Sequence, residues 1–159
     1  MFGLKKKEKN AQKPSFVVVS PVQGQLIDLT EVKDEVFSKK MMGEGFAIVP
    51  ENGQIVSPVS GELVSLFPTG HAFGIHTENG VDVLVHIGLD TVNLNGQGFK
   101  VLCSQGQSVQ AGQPVVQVER EAILEQGIDL TTMVVFTEGF KRQIHVNSRP
   151  VEEGAVLIQ

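Results

Sequence analysis

A short motif that occurs twice restricts the fold of this 159-residue chain more than any other feature. Residues 20–29 read SPVQGQLIDL, and residues 57–66 read SPVSGELVSL. A weaker pair relates residues 109–116, VQAGQPVV, to residues 151–157, VEEGAVL. Each copy places a glycine-containing turn beside alternating apolar residues, a pattern typical of strands. Two such strand–turn–strand units facing each other predict an all-β, antiparallel β-sandwich or partial barrel.

Alternation and turn residues place the individual elements. We expect one or two short helical stretches, a helix over residues 119–127 that ends at Gly127 and a helical turn within residues 34–41. The predicted strands cover residues 16–19, 24–29, 45–49, 54–57, 61–67, 71–77, 81–87, 99–103, 114–118, 131–136, 143–147 and 155–158.

Charge divides the chain into two parts. Residues 1–13 carry five lysines against one glutamate and predict a flexible, solvated segment, with weak attraction to anionic lipid as a minor reading. Residues 14–159 predict a single domain in which acidic residues outnumber basic ones about two to one. An acidic domain disfavours nucleic acid and favours a basic partner.

Cysteine and hydropathy indicate a cytoplasmic protein. Cys103 is the one cysteine, which excludes an internal disulfide and suggests a reducing compartment, and we expect it to be a small core residue. No apolar run approaches the roughly 20 residues that cross a bilayer. The basic start is not followed by the apolar stretch of a signal peptide.

A predicted hairpin brings two histidines together. The Asn-Gly pair at 79–80, between two runs rich in β-branched and aromatic residues, predicts a two-residue turn that sets Phe73 opposite His86. His71 then lies diagonally across from His86, about 7–8 Å away at Cα, on the same sheet face. Two imidazoles on one apolar face indicate a chemical site.

Phosphoryl transfer is the reaction that this pair suits best. A neutral imidazole, with an ordinary pKa of about 6.5, has a nucleophilic ring nitrogen that can accept a phosphoryl group and pass it on. The transition state spreads charge over phosphoryl oxygens, which an N–H donor such as His71 can stabilise. Thr69 and the Gly88 carbonyl, two residues from His71 and His86, are placed to fix the ring tautomers.

Zinc binding is the main chemical alternative. His71 and His86, with Asp90 as a third ligand, could hold zinc adventitiously or in a hydrolase. Neither an H-E-x-x-H motif nor a cysteine cluster occurs, so we expect no obligatory metal and no cofactor. His76, which the predicted register places on the opposite face, and His145 are interpreted as surface or satisfied residues.

Several segments together resemble the glucose-type IIA component of the bacterial sugar phosphotransferase system. Residues 70–75, GHAFGI, and 84–92, LVHIGLDTV, match the two signature segments of that family. Residues 34–37, DEVF, 43–50, GEGFAIVP, and 96–99, GQGF, match as well. The similarity runs from about Ser15 to Ile158.

The resemblance implies a compact antiparallel β-sandwich that carries phosphate. It implies that phosphorylated HPr phosphorylates His86 on Nε2, and that the group passes to a cysteine of the IIB domain of a membrane sugar permease. His71 would stabilise the transferring phosphate and Thr69 would orient His71. A regulatory binding module, in which phosphate switches docking on other proteins, is the alternative that shares this site.

The resemblance also implies a docking rim around the active histidine. An apolar rim with a few carboxylates suits short-lived contacts with partners that have basic edges. Leu84 stands where several family members have phenylalanine. The implied apolar positions are Val36, Phe37, Met41, Met42, Phe67, Phe73, Leu84 and Val92, with Asp34 and Asp90 as acidic neighbours.

Overall fold

The computed structural model describes residues 16–159, so the lysine-rich segment and the expected boundary after residue 13 lie outside the described residues. Most of the regular secondary structure is strand: β1 (Val18–Val19), β2 (Gly24–Asp28), β3 (Glu44–Pro50), β4 (Gln54–Val56), β5 (Gly61–Leu66), β6 (Ala72–His76), β7 (Asp82–Ile87), β8 (Phe99–Val101), β9 (Ser108–Val109), β10 (Pro114–Val118), β11 (Thr132–Glu138), β12 (Arg149–Val151) and β13 (Val156–Ile158). The helices are α1 (Glu35–Ser38), α2 (Arg120–Glu125) and two 3₁₀ turns, Leu29–Glu31 and Thr91–Leu94.

The strands pair antiparallel throughout the described residues. A large sheet has the order β12-β2-β3-β11-β7-β6-β5-β9, a smaller sheet has the order β4-β10-β8, and β1 pairs with β13. The predicted all-β antiparallel sandwich is confirmed. The large sheet ends at edge strands β12 and β9, so within residues 16–159 it does not close into a barrel.

The twice-occurring motif forms the same local structure in both copies. The hydroxyl groups of Ser20 and Ser57 each donate to the carbonyl two residues further along, at 2.7 and 2.6 Å. Gly24 and Gly61 then begin β2 and β5. A Cβ at either glycine would lie 2.1 or 2.4 Å from a carbonyl oxygen of the adjacent strand, which explains why both copies carry glycine there.

The two copies also bond to each other reciprocally. The Val19 N–H donates to the Pro58 carbonyl, and the Val56 N–H donates to the Pro21 carbonyl, both at 2.8 Å. Each prolyl carbonyl therefore accepts from the strand that leads into the other copy of the motif. This exchange supports the interpretation of the repeat as a duplicated unit.

The weaker repeat supplies a turn that binds each copy of the motif. The Gly112 N–H donates to the Ser57 carbonyl at 2.8 Å, and the Gly154 N–H donates to the Ser20 carbonyl at 2.9 Å. Both glycines have left-handed backbone angles, with φ of +93° and +80°. The two internal similarities in the sequence are thus parts of one recurring arrangement.

The apolar core has two parts, one on each face of the large sheet. The main cluster joins side chains such as Phe46, Phe73 and Val134 of the large sheet to Val116 and other residues of the smaller sheet. A second cluster lies on the opposite face, where residues 29–37 cover three strand residues. Its members are Leu29, Val32, Phe37, Ala47, Met133 and Val135.

Both predicted helical stretches are confirmed, at Arg120–Glu125 and Glu35–Ser38. The predicted strand over residues 143–147 is wrong, and β9 and β12 were not predicted. The Ile144 N–H donates to the Glu44 carboxylate at 3.0 Å, and the Val146 N–H donates to the Asp28 carboxylate at 3.0 Å. Because side chains satisfy the amides that a neighbouring strand would pair with, the segment 141–148 alternates like a strand without being one.

The two carboxylates that hold segment 141–148 have lowered pKa values. Burial, the largest single effect, raises the pKa of Asp28, but hydrogen bonds from Thr30 and Val146 and the charge of Lys40 together lower it. Burial also raises the pKa of Glu44, and again the bonds from Lys40 and Ile144 outweigh it. The charged forms are therefore favoured by folding.

Cys103 is half-buried and packs against the main core, as expected, and its thiol donates to the Pro114 carbonyl at 3.4 Å. Burial raises the pKa of this thiol, which makes it a poor nucleophile at neutral pH. Among residues 16–159, no helix has the length and apolar character needed to cross a membrane.

We predict that the carboxylates of Asp28 and Glu44 stabilise the fold at neutral pH and that this contribution to the free energy of unfolding is lost in acid. A lowered pKa contributes stability at neutral pH that is lost as the pH falls below about 4. Changing Asp28 and Glu44 to Asn and Gln should lower the free energy of unfolding at pH 7 by about 1–2 kcal/mol, since bonds to charged groups are the stronger ones. Urea unfolding at pH 7 and pH 3 measures this.

The difference between wild type and the double variant should be smaller at pH 3 than at pH 7. The matched control is Glu35→Gln, because that carboxylate is exposed and pairs with an exposed lysine. An undiminished difference at pH 3 would contradict the assignment.

Candidate functional site

The hairpin that carries the two histidines has a register one residue away from the predicted one. Ala72, not Phe73, lies opposite His86. The predicted two-residue turn is wrong, since Thr77 and Val81 bond across a three-residue loop through the Thr77 N–H and hydroxyl. Gly80 ends this loop at φ +82° and donates to the Thr77 carbonyl at 3.0 Å, the arrangement of a turn followed by a bulge.

This register reverses which residues share a sheet face. His86 lies on the face of Ala72 and Leu84, while Phe73 lies opposite Val85 and is fully buried in the main core. The expectation that Phe73 belongs to the docking rim is therefore wrong. His76 shares the face of His86, at the far end of the hairpin, and not the opposite face as predicted.

The His71 side chain nevertheless lies beside His86. His71 precedes β6, so the direction of its side chain does not follow the alternation of side chains along that strand. Gly70, at φ +75°, closes a turn by donating to the Phe67 carbonyl at 2.8 Å. The His71 carbonyl then accepts from the Ile87 N–H at 2.7 Å. The imidazole centroids of His71 and His86 are 5.4 Å apart at an interplanar angle of 80°. The predicted proximity is confirmed, although by a different backbone path.

One hydrogen bond defines the tautomer of His86. Its Nδ1 lies 2.8 Å from the Gly88 carbonyl oxygen, which can only accept, so Nδ1 carries the proton. In the neutral ring, Nε2 is then left with its lone pair. The expected pairing of His86 with the Gly88 carbonyl is present.

The Gly88 carbonyl is held by contacts that the sequence did not reveal. Gly88 has φ +80°, and a Cβ there would lie 2.4 Å from the Thr91 Cγ2. The buried Thr91 hydroxyl donates to the Ile87 carbonyl, and the Gly88 N–H donates to the Thr131 carbonyl at 3.0 Å. Thr131 belongs to a segment more than forty residues away, so no local pattern could identify it.

His71 is the more enclosed of the two rings. It is 5% exposed, its Nδ1 shares a 2.5 Å hydrogen bond with the Thr69 hydroxyl, and the Phe67 ring packs edge-on at 5.1 Å. Thr69 itself is half-buried and lies against Gly96, where an added Cβ would lie 3.5 Å from the Thr69 Cα. The expected pairing of Thr69 with His71 is present.

Both histidines favour the neutral state. Burial lowers the pKa of His71, and the nearby His86 lowers it further. Burial also lowers the pKa of His86, and this outweighs the opposing effects of the Gly88 bond and the Asp34 and Asp90 charges. Two neutral imidazoles at pH 7 are what a nucleophile and its neighbouring N–H donor require.

The helix α1 forms the wall beside His86. Asp34 caps it by accepting from the Val36 N–H at 2.9 Å. Phe37 is buried and its ring centroid lies 5.3 Å from that of His86. Phe37 therefore packs against the His86 ring from the buried side. The expectation that Phe37 lies on the exposed rim is wrong.

Most other residues expected on the docking rim are exposed. Asp90, at φ +58°, is exposed, while Asp34 and Leu84 are half-buried. The exposed apolar members are Val36, Met41, Met42, Phe67 and Val92. Within residues 16–159, no group of three or more His, Cys, Asp or Glu side chains is arranged to hold a metal ion, so Asp90 does not complete a zinc site with the histidine pair.

Comparisons with known proteins agree on one family. The family model described as phosphoenolpyruvate-dependent sugar phosphotransferase system, EIIA 1, matches residues 16–141. The PTS system glucose-specific EIIA component of Halalkalibacterium halodurans is 40% identical over all of this chain and 96% of that protein. A solved structure, glucose permease IIA from Mycoplasma capricolum, superposes with a TM-score of 0.83 at 42% identity, covering 89% of this chain and 92% of that one.

Other relatives are much longer proteins. The PTS system glucose-specific EIICBA component of Streptococcus pneumoniae serotype 4 is 56% identical over 77% of this chain. The glucoside-specific EIICBA component of Staphylococcus carnosus is 40% identical over 89% of it. The chain spans 17% and 21% of the lengths of these two relatives.

We predict that neutral His86 exists as the Nδ1–H tautomer and that His71 and His86 titrate below about 6.5. Replacing His86 by Gln should raise the midpoint of His71, because it removes one cause of the lowering. Nitrogen-15 NMR of the imidazoles across pH 5–9 measures both. His76→Gln is the control and should leave the His71 midpoint unchanged. A protonated Nε2 in neutral His86 would contradict the tautomer.

Proposed function

The chain belongs to the EIIA 1 family of the phosphoenolpyruvate-dependent sugar phosphotransferase system, and on that premise we propose that it carries a phosphoryl group on Nε2 of His86. The observation that carries this proposal is the 2.8 Å bond from His86 Nδ1–H to the Gly88 carbonyl. This bond leaves Nε2 as the nucleophile.

Acceptance of the phosphoryl group is an in-line displacement. The Nε2 lone pair of His86 forms a bond to phosphorus while the bond from phosphorus to the donor's histidine nitrogen breaks. Positive charge develops on the His86 ring as the new bond forms, and the Gly88 carbonyl stabilises it at Nδ1. No proton has to leave the ring in this step.

His71 stabilises the phosphoryl group in the transition state. When the Thr69 hydroxyl donates to Nδ1 of His71, the proton of this neutral ring lies on Nε2. That N–H is the donor for the equatorial phosphoryl oxygens, which carry the charge of the loose transition state. Burial among Phe67 and its neighbours strengthens such a bond by excluding water.

The proposed donor is phosphorylated HPr and the proposed acceptor is a cysteine of a IIB domain. The EIICBA names of several relatives support the acceptor, because they join an A component to C and B components in one protein. The same exposed apolar residues would contact both partners in turn, so affinity has to come from apolar burial that many surfaces can match.

We predict that phosphorylated HPr labels the wild type and that His86→Gln abolishes labelling, because the nucleophile is gone. His71→Gln should still be labelled, but transfer to a IIB domain should slow by about 10²–10³-fold, the usual cost of one lost transition-state donor. Single-turnover assays with radiolabelled phosphate measure both steps.

His76→Gln is the control and should behave as wild type in both steps. Labelling of the His86→Gln protein would contradict the assignment of the nucleophile.

We predict that Met41→Ser raises KM for phosphorylated HPr by about tenfold and leaves kcat unchanged. Met41 is 70% exposed, and burial of a methionine side chain contributes about 1.5–3 kcal/mol. Val156→Ser, which removes an exposed apolar residue from β13, a strand outside the large sheet, is the matched control. Equal effects of the two substitutions would place the docking surface elsewhere.

A further inference from the structure

Lys40 follows the buried Phe37 and precedes the exposed Met41 in the chain, and its ammonium group is held by two hydrogen bonds. Nζ donates to Glu44 Oε1 at 2.9 Å and to the Ile144 carbonyl at 3.1 Å. The side chains of Lys40 and Glu44 are 19% and 25% exposed. Nζ of the neighbouring Lys39 lies 3.6 Å from Glu35 Oε1, and both of those side chains are mostly exposed.

A local turn at Lys40 ends α1, in which the Lys40 N–H donates to the Phe37 carbonyl at 2.9 Å and the Met41 N–H donates to the Val36 carbonyl at 3.1 Å. Lys40 has a left-handed φ of +56° in this turn, a conformation that is less favourable for lysine than for glycine. The preceding helix α1 has four residues, far fewer than an isolated helix needs for stability. Contacts with the rest of the fold must therefore fix this stretch.

Anchors occur at both ends of the stretch. At its start, Asp34 caps α1 and Phe37 is buried against His86. At its end, Lys40 joins the start of β3, through Glu44, to segment 141–148, through Ile144. Met41 and Met42, both exposed, directly follow Lys40, and the Met41 N–H bonds back to Val36 of α1.

We propose that Lys40 is a positioning residue for partner docking, an inference that rests on the proposed function. Its ammonium group holds Met41 and Met42 in one place beside His86, so that an incoming protein meets a preformed apolar surface. Preformation matters because ordering a loop during association reduces affinity. The chemistry at His86 itself does not involve Lys40.

The test compares Lys40→Met with Lys39→Met. Methionine keeps an unbranched side chain and the same backbone preference, so the substitution removes the ammonium group and leaves the left-handed strain in place. Hydrogen–deuterium exchange should be at least fivefold faster in residues 35–43 of the Lys40→Met protein, where the Lys40 and Met41 amides bond within the loop. Lys39→Met should exchange as wild type.

Kinetics then separate docking from chemistry. For Lys40→Met, KM for phosphorylated HPr should rise about five- to tenfold while kcat stays within twofold. Labelling by phosphoramidate, a small donor that needs no docking surface, should also stay within twofold. Lys40→Arg should restore KM. If Lys40→Met does not fold, Glu44→Gln removes the opposite charge of the same pair and carries the same expectations.

Three outcomes would overturn the inference: unchanged exchange in residues 35–43, an unchanged KM, or an equal loss with phosphoramidate. A wild type that phosphorylated HPr cannot label would instead overturn the proposed function. A labelled wild type with an unaffected Lys40→Met protein would remove only the role of Lys40.

Discussion

The hydrogen bond between His86 Nδ1 and the Gly88 carbonyl is the interaction on which the site depends. A carbonyl accepts and never donates, so the bond assigns the ring proton to Nδ1 and the lone pair to Nε2. Gly88 can present its carbonyl because it adopts φ +80° in a space where a Cβ would collide with Thr91. Burial keeps the ring neutral, so a nucleophilic nitrogen is available at neutral pH.

The duplicated unit and the central strands of the large sheet have separate parts in the fold, and it is the central strands that hold the loop at Gly88. Two copies of one motif exchange backbone bonds at Pro21 and Pro58, and the large sheet runs through β11 and β7 beneath the histidines. The loop at Gly88 is bonded to Thr131, just before β11. The position of His86 is therefore set by the central strands of the sheet, and α1 with the residues after it forms the adjoining wall.

The fold class and the histidine pair could be predicted from the sequence because both follow from local patterns. Alternation and glycine turns identify strands, and an Asn-Gly pair identifies a hairpin. The register of the hairpin could not be predicted, because Thr77 bonds to Val81 and this shifts the turn by one residue. With the shifted register, Phe73 lies in the core and not on the expected rim. Segment 141–148 looked like a strand, but its amides bond to carboxylates that no local pattern connects to it.

The site of phosphorylation tests the central claim most directly. With the imidazoles labelled with nitrogen-15, phosphorus-31 NMR of the phosphorylated protein reports which ring nitrogen is bonded to phosphorus. The tautomer fixed by the Gly88 carbonyl predicts coupling to Nε2 of His86 and to no other histidine nitrogen. Coupling to Nδ1 of His86, or to either nitrogen of His71, would contradict the account.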